Sequence, residues 1–193
     1  PYRGCQHACL YCYSPEVLRE TRAWGSFVDV RRNMPSVLAK ELKKKKKGIV
    51  GISTVTDAYQ PLEEKYELTR RCLEQLLRYD FPISIQTKSD LVLRDLDLIK
   101  RFSRRDVGVT ITTTDERCAG LFEPNASSPE ERLAALSKLA SEGIDTWVFI
   151  GPILPSVTDR DLEGLIERVA KAGAKKVVTD KLRLQGRIWN NIA

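Results

Sequence analysis

The chain has 193 residues and a formal net charge of +6, with 42% hydrophobic and 30% charged residues. This composition is too apolar for a disordered chain and too polar for a membrane protein. No apolar run approaches the roughly 18–20 residues that cross a bilayer. The first residues carry no secretory signal, so we expect a cytoplasmic protein without a membrane partner.

The chain begins with Pro1 instead of Met, and we therefore expect a fragment that lacks its native N-terminus and C-terminal segment. No Gly/Ser-rich linker and no internal repeat divides the sequence. The length suits one domain with a hydrophobic core. We expect residues 1–193 to form that single domain.

Short apolar runs rich in β-branched residues alternate with segments of helical period. The runs are 48–52, 82–85, 107–111, 147–150 and 176–178, and a further strand is expected near residues 1–3. Runs of this kind are typical of strands buried on both faces. One helical face is predicted from Leu68, Cys72, Leu73, Leu76 and Leu77, and another from Leu162, Leu165, Ile166 and Val169.

Start and stop signals bound several of these helices. Ser128, Pro129 and Glu131 follow the capping-box pattern, Thr158 and Asp161 offer another start, and Gly143 and Gly173 stand where helices end. Repeated strand–helix units predict right-handed crossovers and a parallel sheet. We expect an α/β fold, either a partial (β/α)6 barrel with outer helices or an open doubly wound sheet, and favour the barrel. In both, chemistry belongs at the carboxyl ends of the strands.

Three of the five cysteines, Cys5, Cys9 and Cys12, lie within eight residues in the spacing C-x3-C-x2-C. Close neighbours make strained disulfides, so a reduced soft-metal site is the better interpretation. Structural zinc requires a fourth ligand, for which His7 is a cramped candidate. Three thiolates would instead leave one iron of a 4Fe-4S cluster open. A non-catalytic zinc or iron–sulfur module and an electron-transfer protein remain the alternatives to an enzyme.

The cysteine spacing, with the aromatic Tyr11 before the third cysteine, resembles the radical S-adenosylmethionine (SAM) superfamily. More narrowly, four segments resemble its spore photoproduct lyase-like group, also called DNA repair photolyase-like. They are Pro1-Tyr2-Arg3-Gly4-Cys5 through Cys12-Tyr13, Thr56-Asp57-Ala58-Tyr59-Gln60-Pro61-Leu62-Glu63, Thr87-Lys88-Ser89, and Pro152-Ile153-Leu154-Pro155. The resemblance covers residues 1 to about 185 in order.

This resemblance implies a lyase-like enzyme whose three cysteines hold three irons of a 4Fe-4S cluster while SAM chelates the fourth. One electron then cleaves SAM to methionine and a 5′-deoxyadenosyl radical that abstracts hydrogen. The implied partners are SAM, an electron donor such as ferredoxin or flavodoxin, and nucleic acid as a candidate substrate.

The resemblance also implies the roles of individual residues. Lys88 would donate to the SAM carboxylate and Thr56 would face its amino group. Thr110 would offer a small hydroxyl, Tyr11 would pack on adenine, and Tyr13 would take part in catalysis through radical return.

The sequence departs from the lyase at one position that matters for hydrogen transfer. Thr54 stands near the place of the lyase's hydrogen-donating cysteine. A hydroxyl is a much poorer hydrogen-atom donor than a thiol, so we do not expect thymine-dimer repair.

Other polar and sulfur-containing residues have less specific expectations. We expect Cys72 and Cys118 to be structural thiols, with Cys118 in a short helix after the fourth predicted strand. For Glu123 and Arg132 we favour exposed surface charges over a place at the border of the site. The lysine run at 43–47 should end the helix that begins near Pro35 and form a solvated face. With the positive net charge, that run also permits contact with a phosphate backbone.

Overall fold

The computed structural model describes residues 1–52, 54–184 and 186–192. The strands are β1 (Tyr2–Arg3), β2 (Asp29–Val30), β3 (Val50–Ile52), β4 (Ile83–Thr87), β5 (Arg105–Thr110), β6 (Asp145–Ile153) and β7 (Lys176–Lys181). The helices are α1 (Ser14–Val17), α2 (Met34–Leu42), α3 (Leu62–Tyr66), α4 (Leu68–Arg78), α5 (Leu96–Ile99), α6 (Glu116–Phe122), α7 (Pro129–Ser141), α8 (Leu162–Lys171) and α9 (Arg187–Ile192). Two 3₁₀ helices span Asp90–Asp95 and Asp159–Asp161.

Strands β3 to β7 form one parallel sheet in which the spatial order of the strands equals their order in the chain. An open doubly wound sheet reverses its order at a switch point, and these five strands contain no reversal. The α/β class with parallel strands and intervening helices is confirmed, and the strand order favours the barrel over the doubly wound alternative.

The prediction of a sixth parallel strand near residues 1–3 is wrong. Strand β1 pairs antiparallel with β2, with Tyr2 opposite Val30, in a separate two-stranded sheet. The Tyr2 hydroxyl donates a hydrogen bond to the buried Glu63 at the start of α3. This contact holds the segment beside α3, where it leads directly into the cysteine loop.

Capping residues and glycines in the sequence predicted several helix ends correctly. Ser128 and Glu131 make both hydrogen bonds of a capping box at the start of α7. Gly143 and Gly173 take positive φ values of 74° and 99° just after α7 and α8, the conformation that glycine adopts most readily. Helix α2 includes Pro35 in its first turn and ends at Leu42, directly before the lysine run.

The hydrophobic core lies between the sheet and the helices, and almost all of its side chains are inaccessible. Its centre is formed by Ile83 and Ile85 of β4, Val107 and Val109 of β5, Val148 and Ile150 of β6, Leu73 and Leu76 of α4, and Leu136 and Leu139 of α7. The predicted faces of α4 and α8 are mostly buried, with Leu77 and Leu162 partly buried and Ile166 41% exposed. No helix in the described ranges is long and apolar enough to cross a membrane.

Candidate functional site

A cavity of about 570 Å³ opens at the carboxyl edge of the parallel sheet. One wall is the loop that carries Cys5, Cys9 and Cys12, and the floor is formed by residues at the ends of β3, β4 and β5. Residues 180–183, at the end of β7 and just beyond it, and Ile188 of α9 form another wall. The predicted site residues Tyr11, Tyr13, Thr54, Thr56, Lys88 and Thr110 all line this one cavity.

The cysteine loop is clamped to the segment that follows β3. Gly4 has a φ of +93°, and a Cβ there would lie 2.4 Å from the Phe27 carbonyl oxygen, so glycine is required at the turn. The backbone N–H of Gln6 donates to Oε1 of the fully buried Gln60 at 2.9 Å. In return, the Leu62 N–H donates to Oε1 of Gln6 at 2.6 Å. These bonds fix the loop before any ligand binds.

The three loop thiols face the cavity and form no disulfide. Burial raises the pKa of Cys5 to about 12, and the nearby Asp57 charge adds to this effect. Burial also raises the pKa of Cys9 well above its usual value, while the Lys88 ammonium acts in the opposite direction. The Cys5 and Cys9 thiols are therefore protonated as they stand, and binding a metal would release their protons.

The donor set fits an iron–sulfur cluster better than a single ion. Among the residues that the structure describes, no three His, Cys, Asp or Glu side chains converge as ligands of one metal ion. A 4Fe-4S cluster distributes three thiolates over three irons, so its ligands need not meet at one point. His7, the candidate fourth zinc ligand, is buried with its Nδ1 3.5 Å from Asp57 Oδ2, and burial lowers its pKa.

Asp57 connects the cysteine loop to the end of β4. Its Oδ1 accepts a hydrogen bond from the Thr87 hydroxyl at 2.7 Å, and its Oδ2 accepts one from the Lys88 N–H at 2.8 Å. The same Oδ2 faces His7. Asp57 thus holds the backbone from which the Lys88 side chain projects.

Lys88 lies at the floor of the cavity with its side chain 16% exposed. Its Nζ is 5.6 Å from the centroid of the Tyr11 ring and 4.0 Å from Glu123 Oε1. At 4.0 Å the ammonium is at the outer limit of an ion pair, so its donors remain available to an anion in the cavity. Cation–π attraction to Tyr11 helps to hold it there.

A buried ion pair supports this floor, and the sequence analysis missed it. Glu123 and Arg132 were expected to be exposed, but both are almost completely buried, and their Oε2 and Nη2 atoms lie 2.5 Å apart. The Tyr11 hydroxyl donates to Glu123, as does the Thr112 hydroxyl at 3.2 Å. Burial alone would raise the pKa of Glu123, but the charges of Arg132 and Lys88 and the bond from Tyr11 lower it overall.

A signal for this pair was present in the helix pattern. Arg132 lies on the same face of α7 as Leu136 and Leu139, which are fully buried. An arginine on a buried stripe requires a carboxylate or carbonyl partner. Its Nη1 donates to the Thr110 carbonyl oxygen at 3.0 Å and its Nε to the Ser127 carbonyl oxygen at 2.6 Å.

The remaining predicted residues lie around the same cavity in different roles. The Thr56 hydroxyl donates to the Gly4 carbonyl oxygen at 2.5 Å, which ties the cysteine loop to the end of β3. The Thr110 hydroxyl accepts a bond from the Gln86 amide at 3.2 Å. Tyr13 is 56% exposed, and its hydroxyl donates to the Thr54 carbonyl oxygen at 3.1 Å.

The two remaining cysteines lie away from this cavity. Cys72 is buried in α4, as predicted. Cys118 is in α6, the short helix that follows β5, and it borders a separate surface depression with Arg117 and Arg160.

The structure is thus an α/β protein with a parallel sheet in barrel order, and three thiols and a lysine line one cavity at the carboxyl edge of that sheet. The chain belongs to the radical SAM superfamily, whose family model matches residues 1–169.

Named and solved proteins agree with this assignment. A protein of Methanocaldococcus jannaschii is 41% identical over 160 residues, which is 82% of this chain and 60% of that protein. A Pseudomonas phage M6 protein named Radical SAM Nalpha-GlyT isomerase is 27% identical over 181 residues, which is 92% of this chain and 38% of that protein. This chain therefore spans about 60% or less of these relatives.

The fold is shared with a solved spore photoproduct lyase variant that contains AdoMet and dinucleoside spore photoproduct. The superposition has a TM-score of 0.77 at 20% identity and covers 99% of this chain and 58% of that one. The expected resemblance to spore photoproduct lyase is therefore confirmed for the fold.

Proposed function

We propose that this chain is the catalytic core of a radical SAM enzyme. The observation that carries the proposal is that Cys5, Cys9 and Cys12 share one cavity with Lys88 and Tyr11. A non-catalytic zinc or iron–sulfur module has no need for a buried cation and an aromatic ring beside its thiols. The lyase and isomerase names of similar proteins support an enzyme of this class.

Cys5, Cys9 and Cys12 would hold a 4Fe-4S cluster, because three thiols leave one iron free for SAM. When bound, the cluster and SAM together supply reductive cleavage of the sulfonium to methionine and a 5′-deoxyadenosyl radical. The loop contributes placement, since Gln60 and Thr56 already hold it in position. Burial of the thiols keeps water away from the reacting centre.

The chain's own polar groups would orient SAM at the floor of the cavity. Lys88 would donate to the carboxylate, because its ammonium reaches the cavity and keeps free donors. Tyr11 would pack against adenine, with its hydroxyl fixed by Glu123. Thr110 would place a hydroxyl near the ligand. Thr56 would face the amino group through its oxygen, since its hydrogen is donated to Gly4.

The substrate would enter from the side of the cavity where Tyr13 and Thr54 lie. Tyr13 is the residue that we assign to catalysis, since its exposed ring stands at the cavity wall within reach of a bound substrate. A nucleic acid component is the substrate class that the relatives support, because one solved neighbour holds a dinucleoside. Electrons would come from a ferredoxin or flavodoxin, and the protein would act in the cytoplasm.

Anaerobic reconstitution tests this proposal. The protein should take up about four irons and matching sulfide per chain, and its reduced form should give an electron paramagnetic resonance signal that changes when SAM is added. Cys118→Ala is the matched control, because Cys118 lies outside the cavity. A colourless protein that binds one zinc per chain would instead support the non-catalytic module. A stable cluster whose signal does not change when SAM is added would support an electron-transfer protein.

A further inference from the structure

The opposite edge of the parallel sheet, where the strands begin, carries a row of basic side chains. Each connection that leads into strands β3 to β7, either its loop or the last turn of the preceding helix, contributes to this row. Its members are Lys43, Lys44, Lys45, Lys46 and Lys47 before β3, Arg78 before β4, Lys100, Arg101 and Arg104 before β5, Lys138 before β6, and Lys171 and Lys175 before β7. All of them are exposed. We call this set the amino-edge row.

Contacts between neighbouring loops show that the row is continuous. The Ser103 hydroxyl donates to Asp80 Oδ1 at 2.8 Å, which joins the loops before β4 and β5. Hydrogen bonds from Ser103 lower the pKa of Asp80, and the Lys47 charge adds to this, so the lysine run lies beside the same junction. Lys100 pairs with Glu142 at 2.6 Å, and Lys175 pairs with Asp145, which joins the loops before β5, β6 and β7.

Much of the positive charge in the row is left without a counter-charge. Lys100 and Lys138 share Glu142, and Lys175 has Asp145. By contrast, Arg101, Arg104 and the lysines at 43–46 make no ion pair with any residue in the described ranges.

Helix dipoles do not account for this excess. The carboxyl end of a helix carries roughly half a negative charge, which one nearby cation satisfies. Helix α2 ends at Leu42 and is followed by five consecutive lysines. Arg104 lies beyond the end of α5 and directly before β5, so it is not in the last turn of a helix and does not neutralise a helix dipole.

We propose that the amino-edge row is a binding surface for the phosphate backbone of a nucleic acid. It lies at the edge of the sheet opposite the cysteine cavity, so it would hold a polyanion without placing it in the reaction site. The proposal does not depend on the radical chemistry, because it concerns different residues at the other end of the strands.

The shape of the row favours a rod-like polyanion over a flat membrane surface. Five adjacent strands are separated by about 4.8 Å each, so the amino edge of the sheet is about 19 Å long, measured along the sheet. A DNA duplex presents one negative charge per about 1.7 Å of its axis, so about eleven phosphate charges lie along this length on its two strands together, and the row would contact those on the near side. Exposed lysines and arginines bind this backbone without reading its sequence.

Fluorescence anisotropy with a labelled mixed-sequence DNA duplex tests the proposal over a salt series. The test protein carries Lys44→Gln, Lys45→Gln and Lys46→Gln, all at exposed positions where folding is insensitive to the change. The charge-matched control carries Arg19→Gln, Arg117→Gln and Arg160→Gln, which are exposed and lie outside the amino-edge row. Both proteins lose three positive charges, so only the position of the loss differs.

The unaltered protein should bind the duplex with an affinity that falls steeply between about 50 and 200 mM salt. The lysine variant should lose about tenfold or more in affinity at low salt, and its salt slope should fall by about one per lysine. The control should keep both values. Equal losses in the two variants would overturn the proposal in favour of overall charge. Absent binding, or stronger binding to phosphatidylserine vesicles than to the duplex, would also overturn it.

Discussion

At the carboxyl edge of the sheet, Glu123 and Arg132 are 0% and 1% exposed, whereas at the amino edge the paired Lys175 and Asp145 are 68% and 66% exposed. The first pair is surrounded by further partners from Tyr11, Thr112 and the Thr110 carbonyl. The second pair has water around it. Charges at the carboxyl edge are held in one arrangement, which suits a site that must be ready before its ligand arrives.

This contrast separates two uses of basic residues in one chain. Lys88 is shielded from solvent and restrained by an aromatic ring and a carboxylate, so it can recognise one anionic group in one position. The lysines at 43–47 are exposed to solvent and are not held by neighbouring side chains as Lys88 is, so they contribute charge without a fixed donor geometry. A lysine at the carboxyl edge of the sheet can therefore act as a specific hydrogen-bond donor, whereas the lysines at the amino edge contribute to a diffuse positive potential.

The largest effect should come from the cysteine loop. Cys9→Ala should abolish the reconstituted cluster, because removing one thiolate leaves a second iron exposed and labile. Iron and sulfide analysis with the visible absorption spectrum would measure the loss. Cys118→Ala should keep the full cluster. A full four-iron complement in the Cys9 variant would refute the ligand assignment.

Breaking the buried pair should have the next largest effect, this time on stability. Arg132→Met should lower the free energy of unfolding by about 3–5 kcal/mol, because Glu123 would keep a buried charge without its main partner. Lys175→Gln, which breaks an exposed pair, should leave the denaturation midpoint almost unchanged. Chemical denaturation of the two variants side by side would measure both. If both variants changed the free energy of unfolding by a similarly small amount, the buried pair would not be more important for stability than the exposed one.

Lys88 should matter for ligand binding more than for folding. Lys88→Met should weaken SAM binding by about 1.5–3 kcal/mol, the usual contribution of a hydrogen bond to a charged group. Its cluster content and melting temperature should stay close to those of the unaltered protein, because Arg132 still pairs with Glu123. Equilibrium dialysis of SAM with the cluster-loaded protein is the measurement. Unchanged affinity would remove Lys88 from the site.

The sequence predicted the parallel sheet and several residues that line the cavity. It did not predict the antiparallel pairing of β1 or the buried ion pair beneath the cavity floor. Five apolar runs and the capping signals located β3 to β7 and α7, because backbone propensity and burial act locally. The antiparallel pairing of β1 depends on Tyr2 reaching Glu63, a contact across 61 positions that no local pattern encodes. The Glu123–Arg132 pair was missed for a different reason: each charge alone is typical of a surface, and the position of Arg132 on the buried face of α7 was not used.

The last prediction concerns hydrogen transfer at the side of the cavity where Tyr13 and Thr54 lie. The thiols that line the cavity in the described ranges are those of Cys5, Cys9 and Cys12, and cluster binding would occupy all three. Thr54 lines the same cavity but offers a hydroxyl, and an O–H bond is much stronger than an S–H bond, so a substrate radical cannot readily take its hydrogen there. With dithionite and SAM, the protein should therefore form 5′-deoxyadenosine slowly and leave a synthetic spore photoproduct dinucleotide unrepaired.

Thr54→Cys should raise repair of that dinucleotide slightly above background, because it places a thiol at the wall of the cavity. Thr179→Cys, a threonine replacement in β7 outside the cavity lining, is the matched control and should not raise repair. Chromatography of anaerobic reactions would quantify 5′-deoxyadenosine and the repaired dinucleotide together. Efficient repair by the unaltered protein would show that another hydrogen donor serves the site. Absent deoxyadenosine from a protein with a full, reduced cluster would count against the enzyme as a whole.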